Sequence, residues 1–129
     1  MIRTTAFDYI NVLDKAADAS WKRENIIANN IANVNTPGFK RSDVDFSTLL
    51  KQELGNFQSE SLDQKMKRVD LRNLDVTAHK DFSEYSYRLD GNNVDIDTEQ
   101  VELASEQIKY QALTSSISQE FARMKSVIS

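Results

Sequence analysis

The sequence predicts a mainly α fold in which long N- and C-terminal helices pair as a coiled-coil-like bundle, with a small irregular or β-containing middle between them. Three observations carry this. Chain breakers are scarce: Gly38, Gly55, Gly91 and Pro37 are the only glycines and proline in 129 residues, and all lie between segments. Apolar positions near the N-terminus recur in alternating steps of four and three, as on a heptad seam. The residues after Asp97 carry a second such stripe behind an acidic start, which suits the positive end of a helix dipole.

The first helix is expected over Ala6 to Val34, with Ala6, Ile10, Leu13, Ala17, Ser20, Glu24, Ile27, Ile31 and Val34 on the seam. Small Ala17 and Ser20 admit a neighbouring helix closely, whereas Glu24 needs a partner or marks where the seam turns toward water. Phe7, Trp21 and Ile26 widen the apolar surface. The helix stops at Asn33-Val34-Asn35-Thr36-Pro37-Gly38-Phe39, because proline bars its predecessor from helical geometry and Pro-Gly suits a type II turn with Gly38 at positive φ.

Between Asp43 and Leu54 a short helix is expected, bearing Phe46, Leu49, Leu50 and Leu54. The segment 55–73 is poor in apolar residues and reads as mobile, or ordered only by a partner. Tyr85, Tyr87 and Leu89 alternate with Ser86 and Arg88, which predicts an extended segment leading into an Asp90-Gly91 turn. Val94 and Ile96 alternate beyond it, permitting a small hairpin. The last helix should start near Thr98, where Asp97 can cap the free backbone amides and Gln100 sits three residues later, as in a capping box. Leu103, Tyr110, Leu113, Ile117, Met124 and Val127 form its stripe, with Phe121 and Ile128 beside it and Val101 and Ile108 on an adjoining one.

Two helices with few large residues on one seam make a thin core, and the last helix shows more apolar surface than one partner can cover. Association with like subunits resolves this, and the stripes are therefore the expected subunit interface: Ile10, Leu13, Ala17, Ile27, Ile31 and Val34 on the first helix, and Leu103, Tyr110, Leu113, Ile117, Phe121 and Met124 on the last.

Composition excludes several functions. No run of about 18 apolar residues occurs, so neither a membrane-spanning helix nor a cleaved secretory signal is expected. The absence of cysteine removes disulfides, thiol catalysis and Cys-ligated zinc. A net charge of −4 and a pI near 5.0 argue against nucleic acid as partner. Asp95, Asp97, Glu99 and Glu106 fit positions of a calcium loop, but Gln100 stands where that loop needs glycine, so helix capping is the better account and no metal is expected. His79 is the sole histidine and lacks a nucleophile or second catalytic group at recognisable spacing. No phosphate loop or hydrolase motif occurs, and neither enzyme activity nor cofactor is expected. The basic residues Lys65, Lys67, Arg68 and Arg72 interleave with Asp63, Asp70 and Asp75, as on a solvated face.

The run Ile27-Ala28-Asn29-Asn30-Ile31-Ala32-Asn33-Val34-Asn35-Thr36-Pro37-Gly38-Phe39-Lys40 resembles the N-terminal signature of the bacterial flagellar rod and hook protein family. Asp90-Gly91-Asn92-Asn93-Val94-Asp95-Ile96-Asp97 before the last helix narrows the resemblance to proximal-rod members. It implies a non-enzymatic subunit of the basal-body rod, residues 1–38 and 94–129 forming a helical rod core around a polar middle of 39–93. It further implies a helical tube that transmits torque and surrounds an export channel. Its implied partners are like subunits, other rod proteins, the rod adaptor and the membrane-embedded ring, and its implied route is type III export without a cleaved signal. One or both termini are expected to be disordered until assembly. A soluble coiled-coil adaptor or export chaperone is the alternative.

Overall fold

A computed structural model describes residues 5–55, 60–81 and 90–128. Their elements run α1 (Thr5–Ala32), β1 (Ser42–Asp43), α2 (Phe46–Leu54), α3 (Leu62–Arg68), a 3-10 helix (Leu71–Leu74), β2 (His79–Lys80) and α4 (Ile96–Ile128). The protein is mainly helical, as its sequence predicts. The chain divides into two compact units, one of residues 1–19, 45–76 and 111–129, the other of residues 20–44 and 77–110.

In the first unit Ile10, Val12, Ala17 and Ala19 of α1 are buried, as are Leu74 and Val76. Each large aliphatic side chain so removed from water contributes roughly 1.5–3 kcal/mol. The polar stretch expected to lack order of its own is helical over residues 62–68 and 71–74. Local capping explains the difference: Ser61 Oγ accepts from the Gln64 N–H, and Asp70 Oδ1 from the Arg72 N–H. Glu53 of α2 then accepts from the Asp70 N–H and the Asn73 side chain, tying the 3-10 helix to α2. Helix α2 begins at Phe46 rather than Asp43, because Asp45 caps it through the Thr48 N–H and hydroxyl.

In the second unit α1 and α4 lie side by side in opposite directions. Ser20 Oγ donates to the Glu106 carbonyl, and ten residues further along α1 the Asn30 amide donates to Glu99, seven residues earlier on α4. Ile27 is fully buried between them and Trp21 tilts against Tyr110 with ring centroids 5.9 Å apart. Helix α1 ends at Ala32, two residues before the expected Val34, which instead sits in the turn.

Helix α4 starts at Ile96, two residues before Thr98, since the cap is Asp95. Its Oδ1 accepts from the Asp97 and Thr98 N–H groups, so Asp97 is a capped residue rather than the cap. This removes Ile96 from the expected hairpin, and Val94 belongs to no strand; Tyr85, Tyr87 and Leu89 lie outside the described residues. The ladder that does form is antiparallel, with Ser42 opposite Lys80 and Asp43 opposite His79.

Candidate assembly site: the motif junction and the helix faces

Helix α1 runs into the turn because Asn33 closes its last carbonyls: the Asn33 N–H and side-chain amide both donate to the Asn29 carbonyl. Thr36 to Phe39 then form the expected turn. The Phe39 N–H donates to the Thr36 carbonyl at 3.2 Å, and Gly38 has φ +72°. A Cβ on Gly38 would meet nothing closer than the Asp90 carbonyl at 4.0 Å, so only backbone strain opposes a side chain there. Gly38→Ala should therefore cost about 1–2 kcal/mol, read as a lower urea midpoint at unchanged slope.

The two signature segments, more than fifty residues apart in sequence, bind each other. Asn92 is 1% exposed, and its amide donates to the carbonyls of Asn33, Val34 and Thr36 at 2.9, 3.1 and 2.8 Å while its oxygen accepts from the Val94 N–H. The Gly38 N–H donates to the Asp90 carbonyl at 2.7 Å, the Asn93 N–H to Phe39, and Lys40 Nζ to Gly91. Asn93 adds a bridge of its own, accepting from the Arg41 N–H and donating to the Asp81 carbonyl. Asn30, also 1% exposed, pairs with both backbone groups of Ser42 at 2.9 and 3.0 Å, as a neighbouring strand would. Side-chain amides thus satisfy backbone groups that a loop without regular structure would leave unpaired.

Beside this junction lies a charge network that sequence reasoning did not single out. Arg23 of α1 reaches Asp43, Glu102 and Glu106, each within 2.9 Å. Arg41 reaches Asp43, Asp81 and Glu99. Burial pushes the Asp43 carboxyl up, but hydrogen bonds from Arg23, the Val44 N–H and Arg41 outweigh it and hold the group below its ordinary value. Burial opposes the Arg41 charge as well, and Glu99 and Asp43 more than offset it. For Glu24, burial comes first and the nearby Glu106 charge second, and both raise its carboxyl. Glu99 and Glu106 are the buried ends of this network, at 1% and 3% exposure. Spacing alone could have flagged them, because carboxylates at 99, 102 and 106 share one helix face that the apolar stripe leaves incomplete.

The structure sorts the stripe residues. Ile10, Ala17 and Ile27 are buried within the chain, whereas Leu13, Ile31, Leu103, Tyr110, Leu113, Ile117 and Met124 are half-buried and Phe121 is 53% exposed. Val101, Ile108, Val127 and Ile128 on α4 are more exposed still, at 68–83%. Signature residues Ala28, Asn29, Asn35, Thr36, Pro37 and Gly38 are exposed, with Phe39, Asp90, Gly91 and Asn93 half-buried and Val94 buried. Asp95 is exposed. His79 is exposed on β2, and no group of metal-ligating side chains occurs among the described residues. No described helix is long and apolar enough to cross a membrane.

Residues 10–40 match the family described as flagella basal body rod protein. The chain is 37% identical over 123 residues to flagellar basal body rod protein FlgB of Bacillus subtilis (strain 168), covering 92% of each. It is 32% identical to FlgB of Proteus mirabilis (strain HI4320), covering 83% of each, and 29% identical to that of Escherichia coli (strain K12), covering 88% of each.

Proposed function

The chain belongs to the flagella basal body rod protein family, whose members are structural, and from that premise we propose that it is a proximal subunit of the torque-transmitting drive shaft around the export channel. The exposed apolar side chains on α4 carry this reading. Val101, Ile108, Phe121, Val127 and Ile128 lie in water on a helix otherwise rich in polar residues, and side chains of this size are stabilised by removal from water. A shaft needs many subunits locked by such burial. The motif junction supports the reading because it fixes where α1 stops and α4 starts, and hence where each face points. Residues 1–38 and 94–129 form the rod core in this account, with 39–93 as its polar middle.

Like subunits, other rod proteins, the rod adaptor and the membrane-embedded ring are the partners this reading assigns. The rod's place in the periplasmic space, and type III export without a cleaved signal, belong to it as well. Leu113→Glu places a charge among the half-buried stripe residues of α4 and is expected to abolish incorporation into basal bodies, with motility lost on soft agar. Normal motility with that variant expressed at wild-type level would remove the interface reading and favour a soluble adaptor.

A further inference from the structure

Asp90-Gly91 is the one place in the chain where an aspartate or asparagine precedes glycine, since Gly38 follows Pro37 and Gly55 follows Leu54. Such a pair has a reactivity of its own. The glycine amide nitrogen, unhindered by a side chain, attacks the aspartyl Cγ, and a five-membered succinimide forms as one water leaves. Water then opens the ring. Opening at the old backbone carbonyl gives isoaspartate, in which the main chain runs through Cβ and Cγ and the former backbone carbonyl has become a free carboxylate; the mass is unchanged.

The motif junction calls for both residues of this pair. Gly91 has φ +78°, and a Cβ there would meet nothing closer than Gly38 Cα at 3.9 Å, so backbone conformation alone demands glycine. Asp90 Oδ1 accepts from the Asn92 N–H at 3.0 Å, the turn that an aspartate makes with the backbone two residues on. The closed junction also holds the atoms that ring formation must move. The Asp90 carbonyl accepts from the Gly38 N–H at 2.7 Å, the Gly91 carbonyl accepts from Lys40 Nζ, and the Asn92 amide is anchored to three carbonyls. To close the ring, the Asp90 carboxyl must leave the Asn92 N–H for the Gly91 nitrogen, and the peptide whose carbonyl Gly38 holds must turn.

We propose that Asp90-Gly91 is a site of spontaneous isoaspartate formation, and that this rearrangement and closure of the junction exclude each other. In one direction, the closed junction preserves the normal linkage. In the other, isoaspartate adds a methylene, about 1.5 Å of main chain, between Asp90 and Asn92. That exceeds what a hydrogen bond tolerates, so an isomerised chain does not place Asp90 against Gly38 and Asn92 against the end of α1 together. The junction therefore closes only on chains whose backbone is chemically intact.

The full chain is incubated at neutral pH with and without denaturing urea, and isoaspartate is read in the tryptic peptide 89–109 by its separate elution at unchanged mass. The folded wild type should isomerise about tenfold more slowly than the chain in urea. Folded Lys40→Met, which loses the bond to the Gly91 carbonyl, should react about threefold faster than the wild type, and folded Asn92→Ala about tenfold faster. Leu74→Ala lowers stability from within the first unit and should leave the folded rate unchanged. Gly91→Ala should slow the reaction in urea by crowding the nucleophile. Wild type isomerised in urea and then refolded should unfold at a lower urea concentration than chain exposed only briefly. Equal rates for wild type in the two solvents would overturn the proposal, as would wild-type rates in both Lys40→Met and Asn92→Ala. So would an acceleration by Leu74→Ala equal to that of Asn92→Ala, or an isomerised chain as stable as the intact one.

Discussion

Asn92→Ala is expected to destabilise the protein by about 3–4 kcal/mol and to abolish motility, although Asn92 lies on no helix. The substitution removes an amide whose two hydrogens are shared among three carbonyls, together with one accepted bond, at a residue 1% exposed. It leaves the carbonyls of Asn33, Val34 and Thr36 each short of a donor. Asn92→Asp should be worse than alanine: it retains the acceptor for the Val94 N–H but aims a carboxylate at three carbonyl oxygens. Urea unfolding followed by circular dichroism checks the order wild type, Ala, Asp. Equal stability of wild type and alanine variant would show that the motif junction contributes nothing to the fold.

Arg41→Met is the second large effect, with an expected loss of about 3–5 kcal/mol at neutral pH. The arginine holds Glu99, a carboxylate 1% exposed, and its removal leaves that charge with only the Asn30 amide among the described residues. Combining Arg41→Met with Glu99→Met should recover most of the loss, because no lone buried charge then remains. The wild type should also lose stability in acid. Its folded Asp43 carboxyl lies below the unfolded value, so that contribution is present above the ordinary carboxylate range and is lost as pH falls through the folded value. Arg41 is one of the groups that hold Asp43 there, so the fall in melting temperature below the ordinary carboxylate range should be smaller in Arg41→Met, and equal falls in the two proteins would show that Arg41 does not hold Asp43.

The long helices and the turn between Thr36 and Phe39 were legible because they depend on local rules: apolar spacing, and what proline and glycine permit. The sequence does not single out the cap of α4, because Asp95, Asp97 and Glu99 all offer an acidic side chain at the helix start. Only the positions of the Asp97 and Thr98 N–H groups show which one serves. The middle was judged by its shortage of apolar residues, yet Ser61 and Asp70 are caps, and Leu74 and Val76 are buried. The site was legible only as a signature. That Asn92 binds the end of α1, or that Arg23 and Arg41 share Asp43, depends on residues brought together from distant parts of the chain, which no periodicity encodes. The same holds for Asn30, whose pairing with the Ser42 backbone joins residues that no local pattern links.

The chain leaves the second unit after Val44 and re-enters it at Thr77, and the two-residue ladder of Ser42–Asp43 with His79–Lys80 pins both ends of that excursion side by side. Between those ends the excursion is a closed loop, and the entropy of closing a loop grows only with the logarithm of its length, about 0.6 kcal/mol for each doubling. Extra residues in its exposed stretch 61–64 are therefore cheap to accommodate, whereas the buried Leu74 and Val76 are held to their size. The excursion thus divides into a part whose sequence is free to diversify and a part that packing constrains.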